Sequence, residues 1–166
     1  AAAEPGREDD VAVRRAEDVE EDDLVDGPFA LSTTLRPLVR GHGDLNFSNI
    51  LYSLNTGMIK LIDPRGDHFV PFLYELAKLR YSYHGGFTAI THGLAARQGS
   101  QVTLLPRRDA EVQALDDVLS EYASLDLLTV CEGCLLVAGA PLHDGEESEQ
   151  LFWRGVELLS SVLDHD

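Results

Sequence analysis

The sequence is poor in lysine and in long apolar runs, and each shortage excludes a class of protein. Lys60 and Lys78 are the only lysines, and 29 acidic residues against 13 basic ones give a net charge of −16. We expect no nucleic-acid partner, because Lys and Arg must neutralise the phosphate backbone. No apolar run approaches the roughly 20 residues that span a bilayer, and no secretory signal is visible, so no membrane partner is expected.

Cysteine is also scarce. Cys131 and Cys134 are the only two, and they lie in the segment CEGC. No second cysteine pair or nearby histidine pair completes a zinc site, so we interpret both as small residues of a buried helix. A chain without a disulfide framework is predicted to be cytoplasmic.

The acidic charge is concentrated at the amino terminus. Residues 1–26 contain eleven acidic and three basic residues, a net of −8, which is half of the total. We expect residues 1–28 to form a disordered tail or linker, with binding of a basic partner as the alternative. The negative charge weakly favours a cationic substrate, such as an amino sugar or a choline-like amine.

A β-hairpin is predicted in the first half of the chain. Residues 50–54 and 58–62 are β-rich runs, and Asn55, Thr56 and Gly57 join them. Such a short connection with glycine is typical of an antiparallel hairpin. Asn49 precedes the first strand and Asp63 follows the second, so cross-strand pairing brings their α-carbons to roughly 5 Å. Their oxygen atoms suit Mg²⁺, which binds few protein ligands and keeps water and phosphate oxygens.

A polar motif leads into this hairpin. Residues 42–49 read HGDLNFSN, and Asp44 lies five residues before Asn49. A carboxylate at Asp44 can accept a hydrogen bond from a substrate hydroxyl and orient it toward a γ-phosphate.

The HxDxxxxN spacing of His42, Asp44 and Asn49, with Asp63 after a hairpin, resembles the aminoglycoside phosphotransferase and choline kinase-like family of the protein-kinase-like fold. The segments IDPRG and YELAKLRYSYHGGF are similar to a sugar-kinase-like subgroup. The resemblance covers roughly residues 38–163, and its specific motifs lie in 40–87. It implies an α+β, predominantly α carboxy-terminal lobe over residues 29–166.

The resemblance also implies roles for residues. Asp44 is the implied catalytic base or substrate-orienting residue, and Asn49 and Asp63 are the implied Mg²⁺ ligands, with ATP as co-substrate. His42 and Glu75 are expected to brace the loop, although relatives often carry Asp at the position of Glu75. Arg65 is a candidate contact to a phosphate or an acidic substrate, and a surface salt bridge is the equal alternative.

The expected organisation is a helical lobe with one hairpin at its catalytic edge. After a strand in LRPLV come a catalytic loop at 40–49, a hairpin at 50–62 and a metal loop at 63–66. The periodicity then predicts helices at 71–83, 87–96, 108–124, 125–139 and 147–163, with an extended piece at VTLL. The helix at 125–139 is nearly all apolar and is expected in the core.

A nucleotide kinase of this fold also needs an amino-terminal lobe with a phosphate-covering loop and a strand lysine. Both lysines follow the catalytic loop, and no GxxxxGK[ST] motif occurs. We therefore expect a fragment, a truncated product or the carboxy-terminal lobe of a larger enzyme, inactive or weak unless the full-length chain supplies that lobe.

The leading hypothesis is a phosphotransferase that transfers the ATP γ-phosphate to a hydroxyl of a sugar, amino sugar or amino alcohol. One alternative is a catalytically incomplete remnant that serves as a binding or scaffold module. Another is a hydrolytic metal centre with His42, Asp44, Asp63 and His68 as ligands, which leaves Asn49 without a role.

Overall fold

The computed structural model describes residues 38–65, 69–106 and 108–164, all within one compact unit. This part of the chain is a mixed α+β structure, about 54% helical, with small antiparallel sheets. The predicted α+β class with helix in excess is therefore confirmed. The expected acidic tail at 1–28, the lead at 29–37, Gly66 of the metal loop and His68 lie outside the described residues.

Six short strands form three separate two-stranded antiparallel sheets. They are β1 (Leu38–Arg40) with β4 (Phe69–Pro71), β2 (Ile50–Tyr52) with β3 (Ile59–Leu61), and β5 (Ala95–Gln98) with β6 (Gln101–Leu104). The predicted strand in LRPLV is present as β1 in its described part. Its partner β4 was not predicted, because three residues are too few for an alternating pattern.

Five α-helices follow the first four strands. They are α1 (Phe72–Tyr81), α2 (Phe87–Thr91), α3 (Asp109–Leu119), α4 (Leu125–Gly139) and α5 (Gly145–Leu163). Two 3₁₀ turns, Phe47–Asn49 and Ala140–Leu142, precede β2 and α5 respectively. The five predicted helices are thus all present. The helices predicted at 87–96 and 108–124 each end five residues earlier than expected, at Thr91 and Leu119.

The predicted hairpin is confirmed as β2 and β3, and its strands are shorter than expected. Ile50 pairs with Leu61 and Tyr52 with Ile59, and the Ser53 N–H donates to the Met58 carbonyl at 2.9 Å across the turn. Gly57 has a φ of +69°, a conformation that glycine adopts without steric cost.

The prediction of a helix over 87–96 is wrong in its second half. The α2 helix ends at Thr91, and residues 95–98 form β5, which pairs with β6 from Ala95↔Leu104 to Gln98↔Gln101. Gly93 has a φ of +67°, which breaks the helix, and Gly99 has a φ of +63° in the two-residue turn. A Gly-Ser turn between strands is a hairpin signal in the sequence. The extended piece predicted at VTLL is half of this second hairpin.

The α1 helix begins one residue later than predicted and ends two residues earlier. Pro71 is the last residue of β4 and precedes the first helical turn, where its lack of an N–H is harmless. The buried side chains of α1 belong to two hydrophobic clusters, which they form with other elements. Leu73, Leu76 and Ala77 pack with α3 and α4, and Tyr81 packs with α2, β6, α4 and α5.

Two glycines let α4 and α5 approach closely. A Cβ atom on Gly133 would lie 2.7 Å from Leu159 Cγ and 3.0 Å from the Gly155 carbonyl oxygen, and one on Gly155 would lie 2.8 Å from the Gly133 carbonyl oxygen. Real Cβ atoms do not approach other atoms so closely. The absence of side chains at both positions therefore sets the distance between these helices.

The α4 helix, which was expected in the core, has one buried side and one more exposed side. Leu128, Glu132 and Leu136 lie on its buried stripe, whereas Cys134 is exposed. By length and composition alone, the 18 residues Leu125–Leu142 could cross a membrane. A core helix of a soluble protein passes the same test, so this is weak evidence.

Candidate functional site

Two glycines and a buried glutamate determine the path of the loop that follows β1. A Cβ atom on Gly41 would lie 2.5 Å from Val70 Cγ2 and 2.6 Å from Glu75 Oε1, and Gly43 has a φ of +76°. Glu75 Oε1 accepts a hydrogen bond of 2.6 Å from the Gly43 N–H. The carboxylate of Glu75, which is 5% exposed, thus anchors the backbone one residue before Asp44.

Asp44 is held by a lysine from α1. Lys78 Nζ lies 2.7 Å from Asp44 Oδ1, and the more exposed Arg65 places its Nε 3.7 Å from Oδ2. Burial favours the neutral acid, but the hydrogen bond and charge of Lys78, with Arg65 and Asn46, outweigh it and lower the pKa of Asp44. The side chain is therefore a carboxylate at neutral pH, better suited to accept and orient a hydroxyl hydrogen than to remove it fully.

Asn49 faces Asp44 from the end of the loop. Its Nδ2 donates to the Asp44 carbonyl oxygen at 2.8 Å and to Asp44 Oδ2 at 3.3 Å. With the amide nitrogen committed to Asp44, Oδ1 is the atom that can accept or ligate. Asn46 supports the turn between them, because its Oδ1 accepts from the Ser48 N–H at 3.0 Å.

Asp63 follows β3, one position away from the expected pairing. The Ile62 N–H donates to the Asn49 carbonyl at 2.9 Å, so Ile62 rather than Asp63 lies opposite Asn49. Asp63 has a φ of +57°, a left-handed conformation that is uncommon outside glycine and that Asp and Asn tolerate best. Its exposed side chain makes no hydrogen bond or ion pair to another described residue. Strained backbone of this kind often occurs at functional sites.

His42 joins the loop before Asp44 to the segment that carries Asp63. Its Nε2 lies 2.8 Å from the Ile62 carbonyl oxygen, and its own carbonyl accepts from the Arg65 N–H at 2.8 Å. The carbonyl partner requires Nε2 to carry a hydrogen. The other ring nitrogen, Nδ1, is buried without a partner among the described residues. His42 is thus placed between two backbone segments.

Lys78 is the residue of this site that the sequence reasoning missed. It is 8% exposed, and its Nζ donates to Tyr81 Oη at 3.2 Å in addition to pairing with Asp44. Burial, followed by the charge of Asp44, raises the pKa of Tyr81. The available signal was helical spacing: Lys78 follows Glu75 by three residues and Tyr74 by four, so all three share one face of α1.

A second cluster of charged side chains is centred on Arg80, near the end of α1. Arg80 binds Asp116 through two contacts, of 2.5 and 2.9 Å, and donates to Glu132 at 3.0 Å. Glu132 is fully buried, and its Oε2 lies 2.6 Å from His84 Nδ1. These groups satisfy one another, because a buried charge without a partner is costly. No pattern in the sequence pairs His84 with Glu132, because the two residues lie 48 positions apart.

The donor atoms at the loop suit a hard cation. Asn49 Oδ1 and the Asp63 carboxylate are oxygen ligands of the type that Mg²⁺ prefers, and the ion takes its remaining ligands from water and nucleotide phosphates. The described residues contain no cluster of three or more His, Cys, Asp or Glu that could hold a metal ion. Asn49 and Asp63 supply one amide and one carboxylate, which is fewer protein ligands than such a cluster contains. Of the four ligands expected for the hydrolytic centre, His68 lies outside the described residues.

Comparison with protein-family models, curated proteins and solved structures finds no match.

Proposed function

We propose that this chain is the catalytic lobe of a small-molecule phosphotransferase, which transfers the ATP γ-phosphate to a hydroxyl of a sugar, amino sugar or amino alcohol. The observation that carries the proposal is the linkage of two loops at one end of the hairpin. Hydrogen bonds of His42 and Asn49 fasten the Asp44 loop to residues 62–65, which carry Asp63. Phosphoryl transfer needs positioning and charge neutralisation more than covalent chemistry, and these groups can supply both.

In the proposed reaction Asp44 accepts a hydrogen bond from the acceptor hydroxyl and aims its oxygen at the γ-phosphate. The lowered pKa of Asp44 keeps it ionised for that task. Arg65, whose side chain is 68% exposed, is available to a phosphate oxygen at the mouth of the site. Asn49 and Asp63 are the residues that would hold Mg²⁺, which neutralises phosphate charge when bound.

The hairpin beside these residues offers an apolar surface. Tyr52 of β2 and Ile59 of β3 are cross-strand partners that are both more than half exposed, and Met58, which precedes β3, is exposed beside them. Contiguous exposed apolar residues often mark a surface for a ligand or a protein segment. We propose that this surface receives the nucleotide base or a further part of a longer chain.

The proposal is tested by phosphotransfer from ATP and Mg²⁺ to a panel of sugars, amino sugars and amino alcohols, with ³¹P NMR detection of the phosphorylated product. We expect slow transfer that falls by about 10²-fold or more in Asp44→Asn. Asp126→Asn removes an exposed carboxylate at the start of α4 and is the matched control, expected to leave the rate unchanged. Equal transfer by Asp44→Asn and the parent chain would contradict the proposal.

A binding or scaffold module is the second candidate, and the ion pair of Asp44 with Lys78 favours it. A carboxylate neutralised at 2.7 Å by a largely buried lysine can be purely structural. This candidate predicts that Asp44→Asn lowers stability without affecting any phosphotransfer, so the same pair of variants distinguishes the two functions.

A further inference from the structure

The α4 helix and the turn that follows it are more apolar than their burial requires. Leu125–Leu142 contains only two charged residues, yet 33% of this stretch is buried within the described part of the chain. Cys134 and Ala138, on the outer side of α4, are exposed, and Leu142 is 83% exposed. Burying such apolar surface away from water is favourable, so this side of the helix is a candidate contact surface.

An open groove lies where this surface meets α5. It encloses about 410 Å³, and its walls come from Val137 of α4, from the 3₁₀ turn and from the first half of α5. Phe152 and Trp153 form an aromatic wall, edge to face with 5.4 Å between ring centroids, and Phe152 is 41% exposed. Ser148 Oγ donates to the Ala140 carbonyl at 2.8 Å, which fastens α5 to the turn. The groove is therefore preformed, and it presents aromatic residues of the kind that anchor protein contacts.

Acidic side chains lie at the end of this groove where α5 begins. Residues 144–149 read DGEESE, with four acidic residues and no Lys or Arg. Asp144 and Glu146 are exposed and have no cationic partner among the described residues. The other two are paired, in the contacts Glu149–Arg97 and Glu147–His143. Glu149 itself lines the groove, and its side chain remains 60% exposed. This rim therefore carries a net negative charge.

The charge of the rim distinguishes between occupants of the groove. A second copy of the chain would bring the same acidic rim to a two-fold contact, and each copy has a net charge of −16. A bilayer surface that contains anionic lipids would repel the rim in the same way. A cationic partner would instead be attracted.

The walls also indicate the shape of the occupant. They are helical, so most of their backbone N–H and C=O groups bond within the helices, and the groove has no strand edge to which an extended peptide could add. An occupant must therefore bind through its side chains. An amphipathic helix, which presents its apolar residues along one face, suits a groove of this kind.

We propose that this groove docks a cationic amphipathic helix of another protein. Apolar side chains of the partner pack against Phe152 and Trp153, and its Lys or Arg side chains lie beside Asp144 and Glu146. None of the residues that line the groove belongs to the Asp44 loop or to residues 62–65. The inference therefore goes beyond the phosphotransferase function and does not depend on it.

A synthetic peptide that repeats the heptad LKKLLKL is the probe, and a peptide that repeats LEELLEL is the matched anionic control. Binding to the full chain is measured by the fluorescence of Trp153, the one tryptophan, and by ¹H–¹⁵N NMR titration. We expect saturable binding of the Lys peptide with shifts at Val137, Ala140 and Trp153, and binding of the Glu peptide at least about tenfold weaker. Equal affinities, or shifts confined to other residues, would overturn the proposal.

Variants separate docking in the groove from attraction to the net charge of the chain. Phe152→Ala should weaken binding of the Lys peptide at least about fivefold, and Phe152→Leu, a smaller change for the fold, about twofold. Unchanged affinity in either variant would show that the peptide binds elsewhere, which overturns the proposal.

The acidic rim is tested with a matched pair of double variants. Asp144→Asn/Glu146→Gln should weaken binding of the Lys peptide at least about twofold. Asp117→Asn/Glu121→Gln makes the same charge change on exposed residues at and just after the end of α3, and it should leave the affinity unchanged. Equal losses in the two double variants would contradict the role of the rim.

The other two occupants are tested with the same chain. Sedimentation equilibrium at rising concentration measures self-association, and flotation with vesicles of phosphatidylcholine and phosphatidylglycerol measures membrane binding. We expect Phe152→Ala to change neither result. Self-association or vesicle binding that Phe152→Ala abolishes would place that occupant in the groove and overturn the proposal.

Discussion

The ion pair between Lys78 and Asp44 should be one of the strongest single interactions in this part of the fold. Their side chains are 10% and 15% exposed, and the charged atoms lie 2.7 Å apart. A charge-assisted hydrogen bond contributes about 1.5 to 3 kcal/mol, and breaking a fully buried pair costs about 3 to 5 kcal/mol. Lys78→Met keeps the length of the side chain and leaves Asp44 largely unpaired. We expect it to lower the free energy of unfolding by about 2 to 4 kcal/mol at pH 7.

The loss should depend on pH in a defined direction. The pKa of Asp44 is lowered from 3.8 in the folded protein, so its ionisation stabilises the fold above that pH. This contribution disappears as the pH falls through the lower folded value. The difference in stability between the parent chain and Lys78→Met should therefore be largest near neutral pH and shrink as the pH falls toward 2.

Urea unfolding followed by the fluorescence of Trp153, the one tryptophan, measures both effects. Asp44→Asn and the double variant Asp44→Asn/Lys78→Met complete a cycle, in which we expect a coupling of about 1 to 3 kcal/mol. A loss below about 0.5 kcal/mol in Lys78→Met, or a cycle without coupling, would refute the account of this ion pair.

Two further predictions concern stability. Gly133→Ala should lower the free energy of unfolding in urea by about 1 to 3 kcal/mol, because the added Cβ would collide with Leu159. Gly139→Ala should change it little, because nothing lies within 4 Å of the added Cβ. Equal losses in the two variants would contradict the glycine contact. Glu75→Ala should lower the free energy of unfolding by about 1 to 3 kcal/mol, because it leaves the Gly43 N–H without its acceptor. Glu75→Gln keeps an acceptor oxygen and should recover most of that loss. If Gln is no better than Ala, the hydrogen bond is not the cause.

Local signals in the sequence determined much of this fold. The β2–β3 hairpin followed from two β-rich runs around a glycine turn, and the helices followed from apolar periodicity and glycine or proline boundaries. The second hairpin was missed because β5 contains no β-branched or aromatic residue, so only the Gly-Ser turn indicated it. Apolar content overstated the burial of α4, because composition cannot show how many neighbours surround a helix.

The candidate site was predictable where its groups are close in sequence and not where they are distant. Asp44 and Asn49 lie in one loop and are joined by a hydrogen bond, and Asp63 follows the hairpin that Asn49 precedes, with an error of one residue in the pairing expected opposite Asn49. Lys78 reaches Asp44 only because α1 packs against the loop. His84 and Glu132, 48 residues apart, meet only through the packing of α4.

The central claim is that Asn49 and Asp63 bind the metal–nucleotide complex next to Asp44. Manganese, which accepts the same oxygen ligands as Mg²⁺, broadens the NMR signals of nearby nuclei, so Mn²⁺ with ATP can be titrated into the ¹⁵N-labelled chain. We predict selective broadening of the signals of residues 44–49 and 62–65. This broadening should be lost in Asp63→Asn, since Asn tolerates the same backbone conformation as Asp63 and the variant removes only the carboxylate. It should be kept in Asp126→Asn. Broadening that spares these residues, or that persists unchanged in Asp63→Asn, would contradict the account.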